Sequence, residues 1–349
     1  MTCYHPLRGF PVGVTVNGKP DYLITNSRVH HVEYCHGEWQ KALDERLSPY
    51  CEKVVYKYEE IPCGNCIGCR LDYSRTWADR CMLEMVDHDN SYFLTITYDD
   101  IHVPRTEYID YDTGAIEPVM TLRKRDWQLF MKRLRKAYSK KYDNKLRFYM
   151  AGEYGDQSAR PHYHAIVFGL SLDDLQFYKF DGEFRYYTSE FLQKCWTDDE
   201  GNSKGYIVVA KANWQTCAYT ARYVTKKLKG KAAQFYKDYN IEPEFALMSR
   251  RPGIARNYFD EHGTALFDYD SIYLATENGS REIRPPKYFK NLLDKVDSDL
   301  YNLNKEKNKI IQHNIHYQNL KQTSQSYLDL LETQEGIKER KIKSLKRSV

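Results

Sequence analysis

Two histidines one residue apart, His162 and His164, lie in the stretch Arg160-Pro-His-Tyr-His-Ala-Ile-Val-Phe168. The run reads as a strand, on which side chains two apart share a face, so both imidazoles point one way while Tyr163 faces the other layer. Neutral imidazoles that close form half of a divalent-metal site. An isolated His-x-His pair is more often an ordinary surface or core pair, so its context decides. Glu153 ends the preceding strand, and antiparallel pairing across a short turn brings its carboxylate opposite the histidines; a solvated strand end is the competing reading. Two nitrogens and a carboxylate oxygen, with positions left open, suit Mg²⁺ or Mn²⁺ bound to a phosphate.

A second group stands in Ala218-Tyr-Thr-Ala-Arg-Tyr-Val-Thr-Lys-Lys227. Positions four apart share a helix face, so Tyr219, Tyr223 and Lys227 are expected to form a stripe of phenol, phenol and ammonium. A phenol ionises near pH ~10 and attacks poorly at neutral pH unless a cation assists it. Two half-buried tyrosines on an amphipathic helix would be the default in a chain with 31 of them, if the stripe stood alone. Tyr223 has Lys226 and Lys227 close by, which favours it for a first attack.

The third group is Cys63-x-x-Cys66-x-x-Cys69, with Cys3 and His5 near the N-terminus. Three thiolates at this spacing need one more ligand for tetrahedral zinc, which Cys3 or His5 could supply. Thiols at a tight turn, or a redox or iron–sulfur role, are the alternatives; a fourth cysteine followed by proline, usual in ferredoxin-like clusters, is absent. Cys35, Cys51, Cys81, Cys195 and Cys217 read as small buried hydrophobes.

Basic residues concentrate in two places. Thr121 to Arg147 holds eleven of them against two acidic residues, a net of +9. Arg222, Lys226, Lys227, Lys229 and Lys231 surround the second tyrosine. Such patches bind phosphates without reading sequence, and Arg123, Lys124, Arg125, Lys132, Arg133, Lys136, Arg160, Arg222 and Lys226 are the expected DNA contacts. The terminal Lys338, Arg340, Lys341, Lys343, Lys346 and Arg347 are either a nonspecific DNA-holding tail or disordered.

The elements that must position these groups follow from periodicity. Turn residues Gly9, Pro11, Gly13, Gly18 and Pro20 divide the first sixty positions into short strands. Helices are expected over Arg70–His88, Arg123–Tyr142 and about Trp214–Leu228, and strands over Tyr92–Tyr98, Leu146–Glu153, His162–Phe168 and Gly205–Ala210. Residues 101 to 120 read as a polar surface excursion. The pattern is α+β, a central antiparallel sheet flanked by helices without regular βαβ alternation. It divides into a cysteine-rich segment (1–70), a core domain (71–290) and a charged helical tail (291–349). At 42% hydrophobic and 29% charged residues the chain can build a core. No apolar run approaches the ~20 residues of a membrane span, and no secretory signal is visible, so a cytosolic protein without a membrane partner is expected.

In combination, Cys63-Gly-Asn-Cys66-Ile-Gly-Cys69-Arg, Phe93-Leu-Thr-Ile-Thr-Tyr-Asp-Asp, Gly152-Glu-Tyr-Gly, Arg160-Pro-His-Tyr-His and Tyr219-x-x-x-Tyr223 resemble the HUH endonucleases of rolling-circle replication. They look most like the replication initiators of gokushovirus-type Microviridae phages. The resemblance covers roughly residues 1 to 260; Tyr163 stands where the family has a bulky hydrophobic residue. It implies an HUH fold and a site-specific nick in single-stranded origin DNA through a 5′-phosphotyrosine, the second tyrosine serving strand transfer. It also implies work beside a host helicase and polymerase in the cytoplasm of an infected bacterium. A noncatalytic, zinc-stabilised nucleic-acid-binding protein and a water-using metallophosphodiesterase are the competing readings.

Overall fold

The turn-rich N-terminal stretch forms six strands, β1 (Leu7–Val14), β2 (Pro20–Thr25), β3 (His31–Cys35), β4 (Glu38–Ala42), β5 (Cys51–Val55) and β6 (Glu59–Ile61). They pair as two three-stranded antiparallel sheets, β2-β1-β6 and β4-β3-β5. Helix α1 (Ile67–Met85) follows, then β7 (Ser91–Tyr98), a hairpin of β8 (Arg105–Ile109) and β9 (Ile116–Met120), and α2 (Lys124–Tyr138). Next come β10 (Arg147–Tyr154), β11 (Pro161–Phe168), β12 (Leu175–Asp181), β13 (Phe184–Ser189), α3 (Glu190–Gln193), β14 (Gly205–Lys211) and α4 (Trp214–Tyr223). The chain continues through α5 (Gln234–Asp238), β15 (Phe245–Met248), α6 (Arg256–His262), β16 (Ile272–Thr276) and β17 (Gly279–Ile283) to α7 (Lys287–Val296), α8 (Ser298–Lys321) and α9 (Tyr327–Ser344).

This computed structural model describes residues 3–182, 184–223, 226–228, 230–276 and 279–344. Lys229, Lys346 and Arg347 lie outside the described residues. The chain divides into two units. One joins the segment ending at Asp72 to the C-terminal part from Glu306; the other runs from Tyr73 to Lys305.

The second unit is built on a seven-stranded antiparallel sheet of order β12-β13-β14-β7-β11-β10-β15. Its middle strands are rich in β-branched and aromatic residues, which suits strands buried on both faces. Alternation splits them cleanly. Leu94, Ile96, Met150, Tyr163, Ala165, Val167, Ile207 and Val209 join one core with Trp127, Phe130, Met131, Leu134 and Tyr138 of α2. Phe93, Tyr149, Ile166, Phe168 and Ala210 join the other with Ala78 and Cys81 of α1 and Cys217, Ala218 and Ala221 of α4. Helix α2 therefore covers the face opposite α1 and α4.

Several sequence expectations shift. Residues 101 to 120, expected as an irregular excursion, contain the β8–β9 hairpin. Helix α2 stops at Tyr138 instead of Tyr142, with Ser139 as its C-cap. Strand β13, the edge strands β12 and β15, and the β16–β17 pair lie outside what the sequence pattern signals. Cys35, Cys81, Cys195 and Cys217 are buried as expected, but Cys51 is only half-buried, paired in register with Cys35 at a bulge between β3 and β5.

Gly205 shows how tightly the central strands meet. Its φ is +145°, and an added Cβ would stand 2.2 Å from the Thr97 carbonyl oxygen. Gly205→Ala combines a backbone clash with a conformation that L-residues avoid, and should cost at least about 2 kcal/mol in chemical denaturation; an unchanged unfolding midpoint would contradict this packing.

Candidate active site

Strand register assembles the first part of the site. Glu153 on β10 is the cross-strand partner of His162 on β11, and His164, two residues on, emerges on the same face. On the other side of β11 the partners are Thr97 and Thr95 of β7. His162 Nε2 lies 2.6 Å from Glu153 Oε1, and His164 Nε2 lies 3.3 Å from the same atom. The three donor groups lie within 4.8 Å of one another.

Backbone and neighbouring side chains fix the imidazoles from behind. His162 Nδ1 donates to the Arg160 carbonyl at 3.0 Å, and His164 Nδ1 is 3.2 Å from the Thr95 hydroxyl. Both Nε2 atoms are thereby left to face the carboxylate, the arrangement second-sphere contacts give metal-binding histidines. Although His164 Nε2 is within ion-pair range of Glu153, it lacks hydrogen-bonding alignment and has no hydrogen-bond partner. Glu153 Oε2 is ion-paired with the Lys226 ammonium at 3.2 Å. A buried imidazole nitrogen without a hydrogen bond, beside a second imidazole and a carboxylate, is a donor set that a divalent cation would satisfy, so the residues fit Mg²⁺ or Mn²⁺.

Electrostatics agree with that donor set. Burial alone would raise the Glu153 carboxyl, but the His162 hydrogen bond and the two facing imidazoles outweigh it and hold it at about 2. Burial pushes the His164 imidazole down to about 4, against the pull of Glu153. At neutral pH the site thus holds a carboxylate and an uncharged His164.

Helix α4 brings the phenols. Its start is a reciprocal cap: Asn213 Oδ1 accepts from the Thr216 N–H at 2.9 Å, and Thr216 Oγ1 accepts from the Asn213 N–H at 2.9 Å. From this fixed end, Tyr219 and Tyr223 both reach His164. Tyr223 stacks on the imidazole at 4.7 Å and 14° between planes, while Phe93 stacks on its other side at 5.6 Å and 9°. Tyr219 meets the same ring edge-on at 5.0 Å, and its ring lies 4.6 Å from that of Tyr223. Burial raises both phenols above their ordinary value, and for Tyr223 the charge of Glu153 adds to the effect. Neither ionises unaided near neutrality.

Described α4 ends at Tyr223, and Lys227 lies beyond it. Among the described residues it is Lys226 that reaches the site, bonded to Asp156 at 2.8 Å and lying 4.8 Å from the Tyr223 ring centroid. Lys226 was expected as a DNA contact; no periodicity singled it out as a partner of Glu153.

The basic residues of α2 fall elsewhere. Arg123, Lys124, Arg125, Lys132, Arg133 and Lys136 belong to or adjoin the helix on the far face of the sheet, with Lys124 paired to Glu242 and Arg133 to Asp199. Charge density alone carries no information about which face a helix covers. Arg160 holds Asp100 and the Tyr98 carbonyl beside the His strand, and Arg222 is exposed on α4. In the N-terminal unit the Sγ atoms of Cys3, Cys63, Cys66 and Cys69 gather within 4.8 Å of one another. His5, the alternative fourth ligand, instead pairs with Glu335 at 2.5 Å.

The profile of the replication-associated protein ORF2 family matches residues 91–228, a span that holds every group of the His–Tyr site. The chain is 31% identical over 278 residues to the replication-associated protein ORF2 of Spiroplasma virus 4, covering 78% of this chain and 80% of that one. Similarity extends to the replication-associated protein VP4 of Bdellovibrio phage phiMH2K, 31% identical over 67% of this chain and 71% of the relative. ORF4 of Chlamydia phage 1, also a replication-associated protein, is 30% identical over 68% of this chain and 55% of its own. No solved structure matches. The chain belongs to the family of replication-associated (Rep) proteins of Microviridae-type phages.

The pH response of the metal-free protein follows from these groups. Folded His164 stays neutral down to about 4, whereas in the unfolded chain it takes up a proton near 6.5. The unfolded state therefore binds the extra proton, and stability falls as pH drops through that window. Glu153, ionised in the fold down to about 2, adds a further loss below its unfolded value of 4.5. In His164→Asn, denaturant midpoints should decline less steeply across the upper window; an unchanged slope would show that His164 is not the responsible group.

Proposed function

We propose that this chain serves phage genome replication as an HUH-type endonuclease that nicks single-stranded origin DNA and transfers the strand through a 5′-phosphotyrosine. The observation that carries this reading is the column Phe93–His164–Tyr223, which sets a phenol directly against one of two imidazoles that share a buried carboxylate. A purely structural pair of tyrosines gives no reason for both to converge on the one histidine whose Nε2 lacks a hydrogen bond.

In this reading His162, His164 and Glu153 hold a divalent ion such as Mg²⁺ or Mn²⁺, which when bound polarises a phosphate and offsets the charge developing on it. Tyr223 or Tyr219 supplies the attacking Oη. The Oη–phosphorus bond forms as the phosphorus–O3′ bond breaks, leaving a 5′-phosphotyrosine and a 3′-hydroxyl that takes up the proton the phenol gives up. Attack by a 3′-hydroxyl on the adduct reverses the step without a nucleotide, because the phosphodiester energy is retained. Lys226 places a fixed positive charge beside the Tyr223 ring and favours the phenolate. Asp156 and Glu153 hold that ammonium in place. Phe93 and the Thr95 hydroxyl keep the His164 ring from turning, so the phenols meet a preorganised surface. The DNA is expected to approach past Arg160, Arg222 and Lys226, with host helicase and polymerase acting on the exposed 3′ end in the infected cell. Among the described residues no helix is long and apolar enough to cross a membrane.

Incubation with labelled single-stranded origin DNA and Mn²⁺ should yield a covalent species on a denaturing gel, abolished by chelator and by the Tyr219→Phe, Tyr223→Phe double substitution. Lys226→Ala should slow adduct formation roughly 10²-fold. An adduct that persists in the double variant overturns the proposal. Salt-sensitive DNA binding with no adduct under any divalent metal would favour a noncatalytic nucleic-acid-binding protein, and cleavage without covalent capture a water-using phosphodiesterase.

A further inference from the structure

The N-terminal unit has little to hold it together by burial alone. Its hydrophobic cluster is built on Phe10, Val29 and Val32, with Val12, Leu23, Trp39 and Val55 packed partly against them. Cores of this size in small units are usually supplemented by a covalent or metal cross-link. The cysteines of this unit offer one, yet none is joined in a disulfide.

We infer that Cys3, Cys63, Cys66 and Cys69 bind a structural zinc ion that fastens the N-terminal segment to the start of α1. The sulfurs are already spaced for it. Cys63 Sγ and Cys69 Sγ are 4.0 Å apart, as are Cys66 Sγ and Cys3 Sγ. Tetrahedral zinc with ~2.3 Å bonds to sulfur sets its ligands about 3.8 Å apart. A disulfide would need about half that separation, and a four-iron cluster would spread its four thiolates around a far larger cage.

The backbone is arranged around the sulfurs as acceptors. Cys3 Sγ accepts from the Cys63 N–H at 3.2 Å, and Cys66 Sγ accepts from the N–H groups of Tyr4 at 3.3 Å and Cys69 at 3.4 Å. Cys63 Sγ accepts from Asn65 at 3.4 Å and Cys66 at 3.3 Å. Gly64, at φ +72°, supplies the left-handed turn that lets these N–H groups face inward. Thiols are weak acceptors, whereas thiolates on a metal are held by such outer contacts. Four sulfurs fill the coordination sphere, so this site has no open position for substrate and serves structure. It closes a loop from residue 3 to residue 63, a span of 60 positions that encloses both small sheets.

The test uses the full chain. Protein purified without added metal and dialysed against EDTA should keep one zinc per chain by elemental analysis, while metal at the His–Glu site is lost. Cobalt substitution should give intense thiolate-to-cobalt charge-transfer absorption, which ligation by imidazole and carboxylate cannot produce. Cys3→Ser and Cys69→Ser should lose the zinc and Cys51→Ser should keep it. Should the first two fail to fold, a mercurial titration of the unsubstituted protein reports instead, with zinc expected to leave in step with four thiols. Iron with acid-labile sulfide, absence of zinc, zinc lost in Cys51→Ser, or cobalt spectra without the charge-transfer band would each overturn the inference. None of these outcomes depends on whether the tyrosines cleave DNA.

Discussion

A carboxylate buried in the face of a sheet must be compensated, and Glu153 is placed there by register. It lies near the end of β10, in step with His162 of β11, and is only 2% exposed. Leaving such a charge without partners costs several kcal/mol in an ordinary interior (~3–5 when one partner of a buried pair is removed). Its compensation comes from two elements beyond its own strand: the imidazoles of β11 and the ammonium of Lys226 after α4. The apolar side of α4 is held by Cys217, Ala218 and Ala221 in the core, and the ion pair of Glu153 with Lys226 adds an electrostatic tie beyond the helix.

The same strand serves two purposes because its side chains alternate. Turned away from the histidines, the Tyr163 hydroxyl donates to the Tyr98 hydroxyl at 2.6 Å and accepts from the Arg123 N–H at 3.3 Å. Tyr98 donates to the buried Asp126 at 2.7 Å, and Lys204 completes that network. These bonds pin the start of α2 to β7 and β11 from the far side. His162 and His164 thus stand on a strand braced from behind by a polar network, which fixes both imidazoles in place. It also accounts for the hydroxyl at position 163: a purely apolar residue would pack but could not tie α2 to the strand.

What could be read from the sequence was what local periodicity controls. The two-residue period made the His162–His164 face legible, the short turn made Glu153 its partner, and the four-residue period put Tyr219 and Tyr223 together. What escaped depends on where elements stop and which side they take. A repeat pattern contains no mark of its own end, and Lys226, the partner of Glu153 and Asp156, lies past the described helix. The basic residues of α2 were legible as charge, but the face a helix covers is decided by chain connection and by Trp127, Phe130 and Leu134 seeking the core. Strands β12 and β13 were missed because exposed Phe177, Tyr178 and Phe180 disturb the alternation that marks a half-buried strand. In the cysteine group, spacing named three ligands and left Cys3 and His5 equal; only the folded path distinguishes them.

The two tyrosines are not equivalent, and their difference follows from helix geometry. Four residues advance a helix by about 6 Å along its axis, so the two phenols cannot occupy the same place above one imidazole. Tyr223 takes the face of His164 and is nearly covered, whereas Tyr219 takes the edge and keeps more solvent access. The stacked ring has the lysine against it, and the edge-on ring has Phe93. The spacing of three intervening residues keeps both rings on the one histidine, Tyr223 against its face and Tyr219 at its edge.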